Sequence, residues 1–194
     1  MKQFTVTRYS YEELSDEAKE KAIKNMQDFL NRTLDSEDIE QYLRWKLEAE
    51  LGGEPNNLDI HFSLSYCQGD GVALYGRVYK EQAPNLKWDD RVAYMQLIKN
   101  SWGNHYSHYN TFDVEFYDEN WDEIPAGIVG DIGQVMAGQM RDICKELERY
   151  GYAHIESEVS RESAITYLTD NYEDEFLIDG THSPIKVSDM AEVH

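Results

Sequence analysis

The sequence predicts an α+β fold: a small antiparallel β-sheet, arranged as a meander and packed on one face by several helices. One of those helices is long and lies near 125–150. Three observations predict it. Several segments alternate apolar and polar residues with period two, as half-buried strands do. Others repeat apolar residues every three or four positions, as amphipathic helices do. A glycine-rich stretch, "QGDG", separates two of the alternating segments, as the turn of a hairpin would.

The elements follow in order. "QFTVTRY", residues 3–9, alternates with Phe4 and Val6 on one side and reads as a first strand. Ser10 and Glu13 have capping-box spacing, and Ser15, Asp16 and Glu17 open a helix whose acidic first turn suits the helix dipole. Its stripe is Ala18, Ala22, Met26, Phe29 and Leu30. After a break at "TLDSED", Ile39, Leu43 and Leu47 mark a second helix, ended by Gly52 and Gly53. "LDIHFSLSY" is a strand with Ile60, Phe62, Leu64 and Tyr66 on one face and His61, Ser63 and Ser65 on the other. "VALYGRVY" is its hairpin partner, with Val72, Leu74 and Val78 inward.

The spacing then predicts a short helix over "WDDRVAYMQLIKNSW", burying Val92, Met95 and Ile98. "HYSHYNTFDVEFYD" reads as a long strand with Phe112, Val114 and Phe116 on one face, and "ENWDEIP" as an acidic loop. From Pro125, suited to a first helical turn, one long helix runs to a cap at Gly151. Its stripe is Ile128, Ile132, Val135, Met136, Met140, Ile143 and Leu147. Ser160 caps a last short helix, and "EFLIDG" reads as an edge strand. Residues 1–180 form one domain on this reading, and 181–194 a flexible tail.

The bulk numbers narrow the function. The chain has 194 residues, 41% hydrophobic and 12% aromatic, which suits a globular domain. No apolar run reaches the length of a membrane span, and the N-terminus lacks the apolar core of a signal peptide. Two cysteines, Cys67 and Cys144, give no disulfide framework, which favours a reducing cytoplasm. The net charge is −20, unevenly spread. Residues 1–112 hold 13 basic and 18 acidic side chains, whereas 113–194 hold 5 and 20. Such a field repels nucleic acid and anionic membrane and attracts basic partners.

Motif chemistry is sparse. Gln68, Gly69, Asp70 and Gly71 cannot form a P-loop, because a strand follows and no lysine is near. They lack the helix of a dinucleotide fingerprint and the ligand spacing of a calcium loop. They fit a hairpin turn, or a binding loop with Gln68 and Asp70 at its tip. Cys67 would need His61 or His108 beside it to act as a nucleophile. His105 and His108 are three apart, which on a strand is wrong for a shared metal. Acids and aromatics mix in two segments. One holds Asp113, Glu115, Tyr117, Asp118, Glu119, Trp121, Asp122 and Glu123. The other holds Tyr167, Asp170, Tyr172, Glu173, Asp174, Glu175 and Asp179. Neither cofactor nor metal is expected.

Several stretches together resemble a known family. "YSYEELSDEAKEKAI", "IHFSLSYCQGDGVALYG", "HYNTFDVEF" and "ELERYGYAHIESEVSRESAITYLTDNYEDEFLIDG" occur in this order in bacteriophage and prophage proteins often labelled antitoxin of a toxin–antitoxin stability system. The resemblance covers most of 9–180. Its most specific part is F-S-x-x-x-x-Q-G-D-G, Phe62 to Gly71. It implies a phage-encoded accessory protein acting in the bacterial cytoplasm, and it carries no catalytic residues. The expectation is therefore a non-enzymatic, acidic inhibitor. It would neutralise a basic host factor, such as a CRISPR effector nuclease or a toxin, by mimicking nucleic acid. The alternatives are a small-molecule-binding or hydrolytic protein using Cys67, His61, His108 and Asp70, and an assembly protein that pairs through a sheet edge.

Overall fold

The computed structural model describes residues 7–103, 105–173 and 175–183. Its order is α1 (Asp16–Thr33), α2 (Ser36–Leu51), β1 (Leu58–Ser63), β2 (Gly71–Tyr79), β3 (Tyr94–Lys99), β4 (Phe112–Tyr117), β5 (Glu123–Ile124), α3 (Ala126–Val129), α4 (Asp131–Glu158) and α5 (Arg161–Asn171). The fold is α+β, and the five strands form an antiparallel meander in the order β1-β2-β3-β4-β5. Contacts group into two compact units. One is Asp35–His154; the other is drawn from residues up to Leu34 and from Ile155 onward.

The Asp35–His154 unit holds the sheet. Register places Ile60 opposite Leu74, Val78 opposite Met95, and Met95 opposite Phe116, so these side chains share one face. That face meets α2 and α4. Leu43, Leu47, Leu51, Met136, Met140, Cys144 and Leu147 are all buried. Burial pushes the Cys144 thiol far above its usual range, against a bond to the Leu74 backbone. Gly151 does not end the helix. It lies mid-helix and buried, where a Cβ would sit 2.5 Å from Leu64 Cδ1, so close packing is its role. The break in the expected long helix falls earlier, at Gly130, whose φ of 63° and ψ of −138° suit glycine. Upstream and downstream of it, Ile128 and Val135 are exposed and leave the expected stripe.

The largest correction is β3. Residues 88–102 do not form a helix; Tyr94–Lys99 is a strand between β2 and β4. Val92 and Met95 are buried, as helical spacing also required, but Leu97 is buried and Ile98 exposed. The period is therefore two, and pairing on both edges selects it over the helix. Two further strands shrink and one is gained. β1 stops at Ser63, so Leu64 and Tyr66 belong to a loop, and Tyr66 takes a left-handed φ of 58°. β4 covers only 112–117, because 105–111 turns. The loop 118–125 instead contains the two residues of β5.

The other unit packs α1 and α5 around Ala18, Ala22, Ile23, Met26, Ala164, Leu168 and Phe176. Ser15 Oγ accepts the Ala18 N–H and Ser160 Oγ the Ser163 N–H, so both expected helix caps form. Glu13 returns a bond from the Ser10 N–H at 3.0 Å. Phe29 is largely exposed and Ile23 takes its place in the stripe. Residues 175–180 are not a strand: Phe176 makes isolated bridges to Tyr9 and His182. Phe4 and Val6, and 184–194 of the expected tail, lie outside the described residues.

Candidate functional site

Two surfaces of the sheet unit gather the polar and aromatic residues. The first is the sheet face away from α2 and α4. Register aligns Tyr79, Tyr94 and Tyr117 across β2, β3 and β4. Tyr94 and Tyr117 stack with centroids 4.8 Å apart and planes within 2°. Trp121 lies 5.1 Å from Tyr94 and 6.3 Å from Tyr79, with the Arg77 guanidinium 5.3 Å from its ring. The turn that delivers it is organised by Asp118, whose Oδ1 accepts the N–H of Asn120 and of Asp122. Trp121 itself adopts a φ of 69° and remains 56% exposed. A left-handed tryptophan is strained, and its tilted and edge-on contacts with Tyr94 and Tyr79 offset that strain.

Acids surround this platform. Asp113, Glu115 and Glu123 share its face, opposite Ile98, Gln96 and Tyr117 respectively, and Asp118, Glu119 and Asp122 form the adjoining turn. Tyr117 Oη donates to Glu115 Oε2 at 2.9 Å. That carboxylate, with burial, raises the Tyr117 pKa; burial raises that of Tyr94. Both phenols stay protonated and can donate hydrogen bonds at neutral pH.

The second surface is the hairpin tip. Residues 64–70 join β1 to β2, a wider loop than a two-residue turn. Gly69, with φ 93°, takes the left-handed conformation expected of it, and the Tyr106 ring packs where its Cβ would be. Asp70 points its carboxylate back into the loop. Oδ1 accepts from Ser63 Oγ at 2.6 Å; Oδ2 accepts the N–H groups of Ser65 and Cys67 at 2.7 Å and Tyr152 Oη at 3.3 Å. Desolvation opposes its ionisation, but these four donors outweigh it and hold the pKa below the usual range. Glu148 goes the other way. Burial and the Asp70 charge raise it, against the pull of His108. A cleft of about 450 Å³ opens beside the loop, lined in part by Gln68, Asp70, Trp102, Tyr106 and His108.

The sequence candidates separate on this frame. His108 and Asp70 meet at the cleft. His61 lies on the aromatic face, 4.9 Å from the Tyr75 ring, and burial and Lys99 lower its pKa. The Cys67 thiol is exposed and contacts the Ser65 carbonyl at 3.5 Å. Among the described residues no group of three or more His, Cys, Asp or Glu could hold a metal ion, and no helix is long and apolar enough to cross a membrane. Asp170, Tyr172, Glu173 and Glu175 belong to the helical unit, and Asp174 lies outside the described residues. There Tyr172 turns towards Phe176 and His182, and Glu175 is bonded to His182 at 2.9 Å.

Sequence reasoning missed Arg77, Tyr79, Tyr94, Trp102, Tyr106, Glu148 and Tyr152. The available signal was period-two spacing: Tyr94 with Gln96 and Ile98 on β3, and Arg77 with Tyr79 opposite the inward Val78 on β2. Trp102, Tyr106 and Glu148 had none, because only the folded loop brings them to residue 70. Comparison with protein-family models, with curated proteins and with solved structures finds no match for the chain.

Proposed function

We propose that the protein is a binding protein, not an enzyme, that neutralises a basic, nucleic-acid-handling protein through the aromatic face of its sheet. The carrying observation is Trp121: exposed, held in a strained backbone conformation on Tyr94, with Glu119 and Asp122 in its own turn and Glu115 and Glu123 on the same sheet face. A rigid aromatic anchor within a rim of charge is what interface hot spots use. The acids supply long-range attraction and compete for a groove that receives phosphates. The family resemblance supports a phage-encoded inhibitor in the bacterial cytoplasm, with a CRISPR effector nuclease or a toxin as target class.

The test is affinity capture from bacterial lysate with the tagged chain, washed at 50 mM and at 500 mM salt. A basic partner should be retained at low salt and released at high salt. Trp121→Ala should lose it at both. Capture that is indifferent to salt and to Trp121 sinks the proposal.

A further inference from the structure

The cleft beside the hairpin tip is built for a ligand of a different kind from the one the sheet face receives. Two of its walls are exposed rings: Trp102 at 63% and Tyr106 at 44%. Their centroids lie 6.5 Å apart and their planes 28° apart, so the two near-parallel rings form a flat-faced slab. Tyr106 packs on Gly69, which sets the slab against the neighbouring residue, Asp70. Among the described residues no lysine or arginine lines the cleft, and the side-chain amides of Gln68 and Asn110 add hydrogen-bond acceptors to its lining.

Each feature selects against the alternatives. An anion meets only the His108 imidazole as a basic group there and faces the Asp70 carboxylate. A neutral apolar ligand would leave Asp70 without benefit. A tetrahedral ammonium is best met by rings on several sides, whereas a flat cation lies face-on along a slab. We propose that this cleft binds a guanidinium group, stacked on Trp102 and Tyr106 and charge-paired with Asp70. The loop bonds to Asp70 matter here because two backbone N–H groups, Ser63 and Tyr152 keep the carboxylate ionised and fixed before the ligand arrives. Preorganisation of this kind lowers the entropy lost on binding. The guanidinium is either a free small molecule or an arginine side chain of a protein.

The cleft and the aromatic sheet face are separate surfaces. The cleft adjoins the Gly71 end of β2, and Trp121 adjoins the Tyr79 end. The experiment is a two-dimensional NMR titration of the full chain with Nα-acetyl-arginine amide, following the Gly69 amide and the Trp102 indole N–H. Nα-acetyl-citrulline amide, which keeps the shape and loses the charge, is the control. Saturable shifts with a Kd of about 1–10 mM are expected for the arginine compound, and none for citrulline. Trp102→Ala removes an exposed ring, leaves the fold intact, and should weaken binding about five-fold or more. Trp121→Ala should leave it unchanged. Equal responses to both compounds, or no saturation with arginine, would overturn the site. A Gly-Gly-Arg-Gly-Gly peptide then distinguishes the sources. Binding ten-fold tighter than the amide upholds the site as a receptor for a protein arginine; equal binding upholds it as one for a free guanidinium compound.

Discussion

Two acidic, aromatic segments, 113–123 and 170–175, look alike in composition and differ in use. In the first, strand register pushes Glu115, Tyr117 and Glu123 to one face, and a tight turn lays Trp121 over the tyrosines with its outer surface exposed. In the second, Tyr172 follows directly on α5 and turns into the small core around Phe176, while Glu175 bonds His182. A mixture of acids and rings is therefore no site by itself. What matters is whether the local backbone points the rings outward or spends them on packing. A two-layer sheet unit already has its core on one face and can present aromatics on the other. A two-helix unit this small needs every ring it has.

Substitutions test that contrast. The largest effect should come from Gly180→Ala. Gly180 has φ 78°, and a Cβ there would run into the Ala18 carbonyl oxygen, a backbone atom that cannot swing aside. Left-handed strain plus that clash should cost about 3 kcal/mol, read as faster amide exchange in α1 and α5. Next, Tyr172→Ala should destabilise the same helices by about 2 kcal/mol, measured by urea unfolding, with little effect on partner capture. Trp121→Ala should do the reverse. Its binding loss should be about 2 kcal/mol, near thirty-fold in Kd, with an unchanged unfolding midpoint. Equal stability losses from the two aromatic substitutions would erase the distinction.

The pH responses should be smaller and opposite in sign. Asp179, bonded first to Lys21 at 2.6 Å and also to Thr181, has its pKa pulled down to about 2. A lowered carboxyl binds protons less well folded than unfolded. Its contribution is present above the ordinary carboxylate range and is lost as pH falls towards 2. Both groups are exposed, so salt should weaken the effect. Lys21→Gln should flatten the acid limb of helical-unit stability, followed by α5 amide exchange. Glu148, raised by burial, behaves conversely. Its contribution is complete below the ordinary carboxylate range and is lost as pH rises through its higher folded value. Glu148→Gln should remove that loss from the sheet unit. An unchanged slope would mean that Glu148 reaches water as freely in the fold as in the unfolded chain.

Features that depend on residues within a few positions of one another are legible in the sequence. Ser15 and Ser160 cap their helices, Gly52 closes α2 in the left-handed conformation, and the glycines of 69–71 reverse the chain between β1 and β2. Alternation set the inward residues of β1 and β2, and hence the hairpin at the start of the meander. Tertiary structure decided the rest. Tyr94–Lys99 has spacing that helix and strand both satisfy at Val92 and Met95, and only two flanking strands settle it. Gly151 reads as a stop until Leu64 is seen against it. Asp70 reads as a free polar tip until Ser63 and Tyr152 are seen fixing it at the cleft wall. Both candidate surfaces are assembled from residues tens of positions apart, joined by cross-strand pairing and loop packing. No short window of sequence encodes contacts of that range, because their free energy appears only once the sheet has closed.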